Sequence, residues 1–433
     1  MIELFLMTTM LIIASYFINR GLNERKIISA SLAFLVGHWF YIIFNALLGV
    51  QGFSHAWGAR LFEENTALLI GTSLVTVIGL FFYMLGVFAC SKPQTWSKHP
   101  IINISLSEKH ILYIVALLFY MPGSYAALLS YQQAINLSFW ERTTSLVSIA
   151  DLIIPVVLIG IVGVATSLKL KKINVSVIIF SIIIIVSISS LLLLWSRRAL
   201  LGVFFVLVMV LYERRYKKPS IRVFYYMIPL MFLGAMFLAF NRSSLYFDSE
   251  RSFDLSLLSA DYLKTLWLES SAFSSLMYSV ENYDSQELLL GSSFLAAFIF
   301  FIPRAIFPDK PYSYELASSL GDLQYNLPAS FYGEVIANFG FIGVPILAFI
   351  LGYTLKKIDY MYYNKPRNFF EFAVYMLFIF QLFFLVRGSF STVFSAIFIT
   401  CIMPLVTYYF LRKLLIKKRR KEPQFINQQR KKS

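Results

Sequence analysis

Residues 173–212 read INVSVIIFSIIIIVSISSLLLLW, then SRR, then ALLGVFFVLVMVLY. Neither apolar run, Ile173–Trp195 or Ala199–Tyr212, contains a charge. The hydrocarbon core of a bilayer, about 30 Å thick, takes about 20 apolar residues as a helix. It holds no water to satisfy the peptide groups, so the chain must bond to itself. Two uncharged runs joined by Ser196, Arg197 and Arg198 therefore predict an antiparallel pair of membrane helices.

Working outward, the same rule finds eleven spans. They are Ile2–Ile18, Ile27–Val50, Thr66–Ala89, Ile111–Leu129, Leu152–Leu168, Ile173–Trp195, Ala199–Tyr212, Val223–Phe240, Val335–Tyr353, Phe369–Val386 and Phe390–Leu411. A twelfth apolar run, Leu288–Ile302, is ambiguous. The opening MIELFLMTTM has no basic segment and no small-residue cleavage site, so it reads as a first span and not as a signal peptide. The fold class expected is an all-α polytopic membrane protein.

Composition agrees. Of 433 residues, 58% are hydrophobic and 14% charged, against roughly 25% charged in a soluble domain. The net charge is nevertheless +15. A nucleic-acid binder would carry such charge on a polar surface, so nucleic acid is excluded as a partner and membrane lipid is expected. Cys90 and Cys401 offer neither a disulfide framework nor a zinc site. No HExxH, CxxC, P-loop or GxGxxG after a strand is present, so no metal or cofactor is expected.

Lys and Arg set the orientation, because cytoplasmic loops collect them. Loops 19–26, 90–110, 169–172, 213–222 and 354–368, with the tail 412–433, hold 28 of the 38. These alternate loops are assigned to the cytoplasm, with the N-terminus outside and the C-terminus inside. The inside then has net charge +22 and the outside −7. The alternation works only if Leu288–Ile302 does not cross. That run is therefore read as a re-entrant or interfacial helix in one large external segment, 241–334. The remaining divisions are an eight-helix region 1–240, a three-helix region 335–411 and a basic tail 412–433. A loop of that length among short ones is usually functional.

The informative charges lie on the wrong side. Arg197 and Arg198 face outward, ahead of a run too short to span. Fourteen residues measure about 21 Å at 1.5 Å per residue, which would strand Arg198 below the outer interface. An arginine at the membrane centre costs about 2.5–3.5 kcal/mol on insertion scales, unless it snorkels to the headgroups. Arg387 is the only charge in an outward turn, Val386-Arg387-Gly388-Ser389, with Ser391 and Thr392 adding hydroxyls. Arg242 follows a span directly. Arg304 and Lys310 lie in IPRAIFPDKP, residues 302–311, whose three prolines exclude a regular helix. Such cations near one membrane plane suit a pyrophosphate, which arginine binds through paired hydrogen bonds. Interfacial anchoring is the plainer reading of Arg304 and Lys310.

Glu334 and Asn338 stand four residues apart and share one helix face. Glu334 either complements the helix dipole or serves as a general base or sugar-binding carboxylate. Gly340 and Gly343 fit close helix packing. His38 lies inside a span, where a buried, satisfied imidazole is expected.

Four elements resemble one family. They are Trp195-Ser196-Arg197-Arg198-Ala199 and Phe301-Ile302-Pro303-Arg304 leading to Pro308-Asp309-Lys310-Pro311. The others are Glu334 through Gly343 running on to Lys356-Lys357-Ile358-Asp359, and Leu385-Val386-Arg387-Gly388. In this order the chain resembles the Wzy polymerases of lipid-linked oligosaccharide repeat units, including the enterobacterial common antigen branch. The proline-rich element is the most specific; the arginine opening an apolar helix is shared with O-antigen ligases.

The resemblance implies a C-type glycosyltransferase-like fold in the bacterial inner membrane, with an external active site. It implies transfer of a growing glycan from undecaprenyl pyrophosphate to a new lipid-linked repeat unit, releasing undecaprenyl pyrophosphate. A Wzz-like co-polymerase that sets chain length is the implied protein partner. Glu334, Arg198 and Arg387 would be catalytic; Arg197, Arg242, Arg304, Lys310 and Asn338 would bind substrate. Ligases carry a functional histidine in the large external loop, and 241–334 has none. A flippase or other transporter would show internal repeats, and none is evident.

Overall fold

A computed structural model describes residues 9–10, 12–18, 29–50, 65–90, 110–122, 139–167, 175–193, 197–216, 272–285, 287–300, 302, 306–310, 330–365 and 367–415. The expected span Val223–Phe240, together with Arg242, Arg304 and the tail beyond residue 415, lies outside the described residues.

Among the described residues the regular elements are helical. We number them α1 (Ala30–His38), α2 (Asn45–Val50), α3 (Thr66–Ala89), α4 (His110–Pro122), α5 (Phe139–Ser167), α6 (Val175–Leu193) and α7 (Arg197–Tyr216). There follow α8 (Ala272–Glu281), α9 (Ser292–Ile299), α10 (Phe331–Tyr363), α11 (Phe369–Leu385) and α12 (Phe390–Ile397). A π-helical stretch, Trp39–Phe44, joins α1 to α2. Four helical runs are long and apolar enough to cross a membrane: Ala30–Leu47, Thr66–Ala89, Phe331–Tyr363 and Phe390–Leu415. His110–Pro122, Ile153–Ser167, Ser176–Ile188 and Phe369–Leu385 are shorter apolar helices. The chain is a helical protein built for a bilayer.

One length differs from expectation. The run read as 14 residues belongs to α7, which has 20. Arg197 and Arg198 form its first turn, and Glu213 to Tyr216 extend its end. At 1.5 Å per residue α7 measures about 30 Å, of which the uncharged run Ala199–Tyr212 supplies about 21 Å. Arg198 thus opens the helix and still stands ahead of the same 14-residue uncharged run. Its position is unusual for another reason: the N-terminal turn carries the positive end of the helix dipole, which favours anions.

The most extensive packing is between α3 and α10. It depends on two glycines. A Cβ on Gly86 would stand 2.1 Å from the Phe349 carbonyl oxygen, and one on Gly352 2.1 Å from that of Tyr83. Any side chain there would force the backbones apart.

Further contacts fix the helix directions. The Ala30 N–H lies 3.4 Å from the Tyr375 hydroxyl, and a Cβ on Gly37 would meet the Phe383 carbonyl. Helices α1 and α11 therefore run the same way. Helix α3 opposes α1. The Tyr83 hydroxyl donates to the Ser31 carbonyl (2.7 Å), while Gly79, one turn earlier, meets Tyr332, whose ring packs on His38.

Helix α10 is not one rod. Gly340 sits at φ 68°, ψ −170°, a region essentially restricted to glycine. A Cβ on Gly343 would lie 3.2 Å from Val335 Cγ1. Residues eight apart in a straight helix are separated by about 12 Å, so the chain turns back at Gly340. The packing role expected of Gly340 is thus a backbone role, and the span read as Val335–Tyr353 is a short arm, 331–339, followed by a long one, 341–363.

Candidate functional site

The short arm of α10 is held from both sides. Ser330 caps it, its hydroxyl accepting from the Gly333 N–H (3.1 Å). The Phe331 N–H donates to the Val386 carbonyl (3.3 Å), which ties the arm to the end of α11. On the other side a three-rung polar ladder runs to the segment before and within α9. The Leu289 N–H donates to the Ala337 carbonyl (2.9 Å). The Gly291 N–H donates to Asn338 Oδ1 (3.1 Å), and the Ser293 hydroxyl to Glu334 Oε1 (2.7 Å).

Glu334 and Asn338 do share a face, as their spacing requires. Asn338 Nδ2 donates to the Glu334 carbonyl (2.7 Å) and to the Ser293 hydroxyl (2.8 Å). Both residues are fully buried. The second oxygen of Glu334 accepts from the Phe390 N–H, and the Ser391 N–H also bonds the carboxylate. These are the first amides of α12, where a helix offers unpaired donors and a positive dipole end. Glu334 thus complements a helix N-terminus, in line with one of its two readings. The helix is α12, not its own.

Arg387 stands three residues before Phe390. Helix α11 ends there in a turn, with the N–H groups of Arg387 (3.1 Å) and Gly388 (2.9 Å) both reaching the Phe384 carbonyl. The guanidinium engages the Tyr41 hydroxyl, and the Tyr41 ring packs on Phe383 (5.1 Å) and Phe384 (6.0 Å). Arg387 Nε is buried and has no hydrogen-bond partner among the described residues. The hydroxyls beside it form a cap. Ser389 accepts from the Thr392 N–H (3.3 Å) and donates to its hydroxyl (2.7 Å).

Arg198 lies one turn from Gly202, whose position meets Phe380 and Leu377 of α11. The two arginine-bearing helices are therefore packed on each other. Lys310 acts locally. Its ammonium donates to the Phe300 (2.6 Å) and Ile302 (3.1 Å) carbonyls, satisfying the end of α9 as lysines do at helix C-termini. His38 is buried as expected, but neither ring nitrogen has a partner among the described residues. No group of three or more metal-ligating side chains occurs among the described residues.

Sequence reasoning does not single out Ser293 or Tyr41. Ser293 is one serine in an apolar run, and only the tertiary contact of residues 289–293 with the short arm of α10 brings it to Glu334. Tyr41 has a weak signal: it lies in the π-helical stretch, a distortion frequent at functional sites, but nothing in the sequence marks that stretch.

Comparison with protein-family models, curated proteins and solved structures finds no match to any of them.

Proposed function

We propose that this chain is an integral-membrane glycosyltransferase that polymerises oligosaccharide repeat units carried on a polyprenyl pyrophosphate. The observation that carries this reading is the state of Arg387. Its Nε is buried without a partner among the described residues, and the neighbouring carboxylate, Glu334, is committed to Ser293, Phe390 and Ser391. Arg367 and Arg412 also have buried donor nitrogens without a hydrogen bond among the described residues, but of the three Arg387 is the one that leads into the N-terminus of α12, where a pyrophosphate would match its fork. The order of elements shared with Wzy polymerases supplies the rest.

The helix directions support the sidedness. Helix α3 opposes α1 while α11 parallels it, as alternate crossing of the membrane requires. Eight residues of α9 measure about 12 Å, far short of the hydrocarbon thickness. This agrees with keeping Leu288–Ile302 on one side.

In the proposed reaction an acceptor-sugar hydroxyl attacks the anomeric carbon of the donor glycan. The bond from that carbon to the pyrophosphate oxygen breaks, the hydroxyl proton passes to the departing pyrophosphate or to water, and polyprenyl pyrophosphate leaves. Arg387, with Arg198 on the packed helix α7, stabilises the charge that grows on the leaving oxygen. A general base must be free to take a proton. Glu334 is buried and fully bonded, so we assign it to positioning the Arg387 corner.

The test is Arg387→Ala expressed in a strain deleted for the gene. The expected result is loss of the polymer ladder, leaving core plus one repeat unit, at normal protein level and melting temperature. A normal ladder overturns the assignment. The deletion strain also separates the classes: bare core with lipid-linked polymer marks a ligase, and bare core without it marks a flippase.

A further inference from the structure

Residues 287–300, with 302 and 306–310, have two unlike sides. The side toward α10 is polar and ordered by the three-rung ladder to Ala337, Asn338 and Glu334. The far side is apolar and bare. Leu290 is 80% exposed and Ile306 76%, and Leu295 and Phe298 of α9 are also exposed. No charge occurs between Glu287 and Arg304.

Two further observations identify what covers this face. First, it is continuous with the outer stripe of a helix suited to span a bilayer. Phe294 packs on Phe339 (5.6 Å), and beyond Phe339 the exposed residues Phe341, Ile342 (77%), Ile346 and Ile350 continue the stripe along α10. Second, Leu290 adopts φ 47° and is the only non-glycine residue with positive φ among the described residues. Such a turn position favours glycine or asparagine. The backbone strain is the same in any medium, but a bulky aliphatic side chain 80% exposed at such a tip is favoured where the tip itself sits in an apolar medium.

We infer that residues 287–300 and 306–310 bind a lipid surface, lying along the membrane interface with Leu290 and Ile306 inserted among the acyl chains near the headgroups. Lys310, pinned on the carbonyls of Phe300 and Ile302, and the exposed Glu287 and Asp309 remain at the polar boundary. Helix α9 is thus an in-plane element. Its polar edge braces the arm that carries Glu334, and its apolar edge rests in lipid. This inference does not depend on the polymerase reading.

The test uses the full chain in nanodiscs of mixed phosphatidylcholine and phosphatidylglycerol, with Cys90 and Cys401 replaced by alanine. A single cysteine at Leu290 (Leu290→Cys) or Ile306 (Ile306→Cys) carries an environment-sensitive nitrobenzoxadiazole label. Both residues are exposed, so either variant suffices if the other folds poorly. The expected result is blue-shifted emission, strong quenching by lipid bearing a nitroxide near the headgroup, weaker quenching by a nitroxide near the chain end, and protection from aqueous iodide. Glu287→Cys should show iodide quenching instead. Iodide quenching at Leu290 and Ile306 without lipid quenching overturns the inference. So does stronger quenching by the deep nitroxide, which would mean that the segment enters the bilayer core.

Discussion

Helix α10 carries a buried carboxylate near each end, and each sits on the N-terminus of another helix. At one end Asp359 receives the Ala30 N–H (2.7 Å) and the Tyr375 hydroxyl (2.5 Å) on one oxygen. The Ser31 N–H (3.1 Å) and hydroxyl (2.6 Å) reach the other. At the opposite end Glu334 receives Ser293, Phe390 and Ser391. Both carboxylates are 0% exposed, and both exploit the positive end of a helix dipole, α1 for Asp359 and α12 for Glu334. What differs is the neighbourhood. Asp359 closes a joint in which four donors meet one carboxylate. Glu334 closes a similar joint, but three residues before Phe390 stands Arg387, whose Nε has no partner among the described residues. The same physics fastens both ends, and an arginine with open donors stands near each: Arg367, whose Nε and Nη1 are buried without partners among the described residues, lies over the rings of Tyr362 and Tyr363 near Asp359, whereas Arg387 stands in the turn that leads into α12. A buried carboxylate in a membrane helix is therefore not by itself a catalytic signal, and neither is an unfilled arginine donor; the setting of the two together is what differs between the ends.

The comparison breaks most easily at Asp359. Asp359→Ala leaves two backbone amides, a serine and a tyrosine hydroxyl to find new acceptors at the buried start of α1. Removing one partner of a buried charged cluster costs on the order of 3–5 kcal/mol. The expected outcome is a large fall in melting temperature in detergent, or loss of the monodisperse species, with activity lost only through loss of protein. A variant that melts normally would mean that Asp359 is not a fastening.

Glu334→Gln sharpens the other end. The amide keeps the shape but has one acceptor oxygen where three donors converge, and its own N–H₂ must face a donor. One buried donor left unsatisfied costs about 1–3 kcal/mol. We expect a lower melting temperature with the glycan ladder still present below it. Complete loss of the ladder in protein that remains folded would restore the general-base role to Glu334 and end its likeness to Asp359.

The parts of this arrangement that are legible in the sequence are those with local periodicity. The apolar runs mark the long helices, and the four-residue spacing of Glu334 and Asn338 places them on one face. The isolation of Arg387 in an apolar turn marks it as unusual. The rest depends on contacts between distant segments. Asp359 reads as one acid in the basic run Lys356-Lys357-Ile358-Asp359, and nothing in that run names residues 30 and 31 as its partners. The glycine at 340 is legible as a glycine, but not as a reversal of direction, because nothing local records that Gly343 will meet Val335 or that Tyr283 will lie against Gly340. The length of α7 escapes the sequence for a related reason: hydropathy stops at charged residues, whereas the helix continues through Arg197, Arg198 and Glu213 to Tyr216.

The smallest effect is expected at Ser293, and it discriminates most finely between the two ends. Its hydroxyl donates to Glu334 and accepts from Asn338, so it couples the two residues that share the helix face. Asn338 keeps two other bonds when Ser293 is lost, to the Glu334 carbonyl and from the Gly291 N–H. Glu334 keeps its bonds to α12. Ser293→Ala should therefore cost only about 0.5–1.5 kcal/mol, the ordinary net worth of one hydrogen bond. Its effect should not add to that of Asn338→Ala, because contacting members of one network couple. Thermal melts of the two single variants and the double variant measure this directly. Full additivity would mean that the ladder from α9 to α10 is three separate contacts, and that Glu334, unlike Asp359, is fastened from one side only.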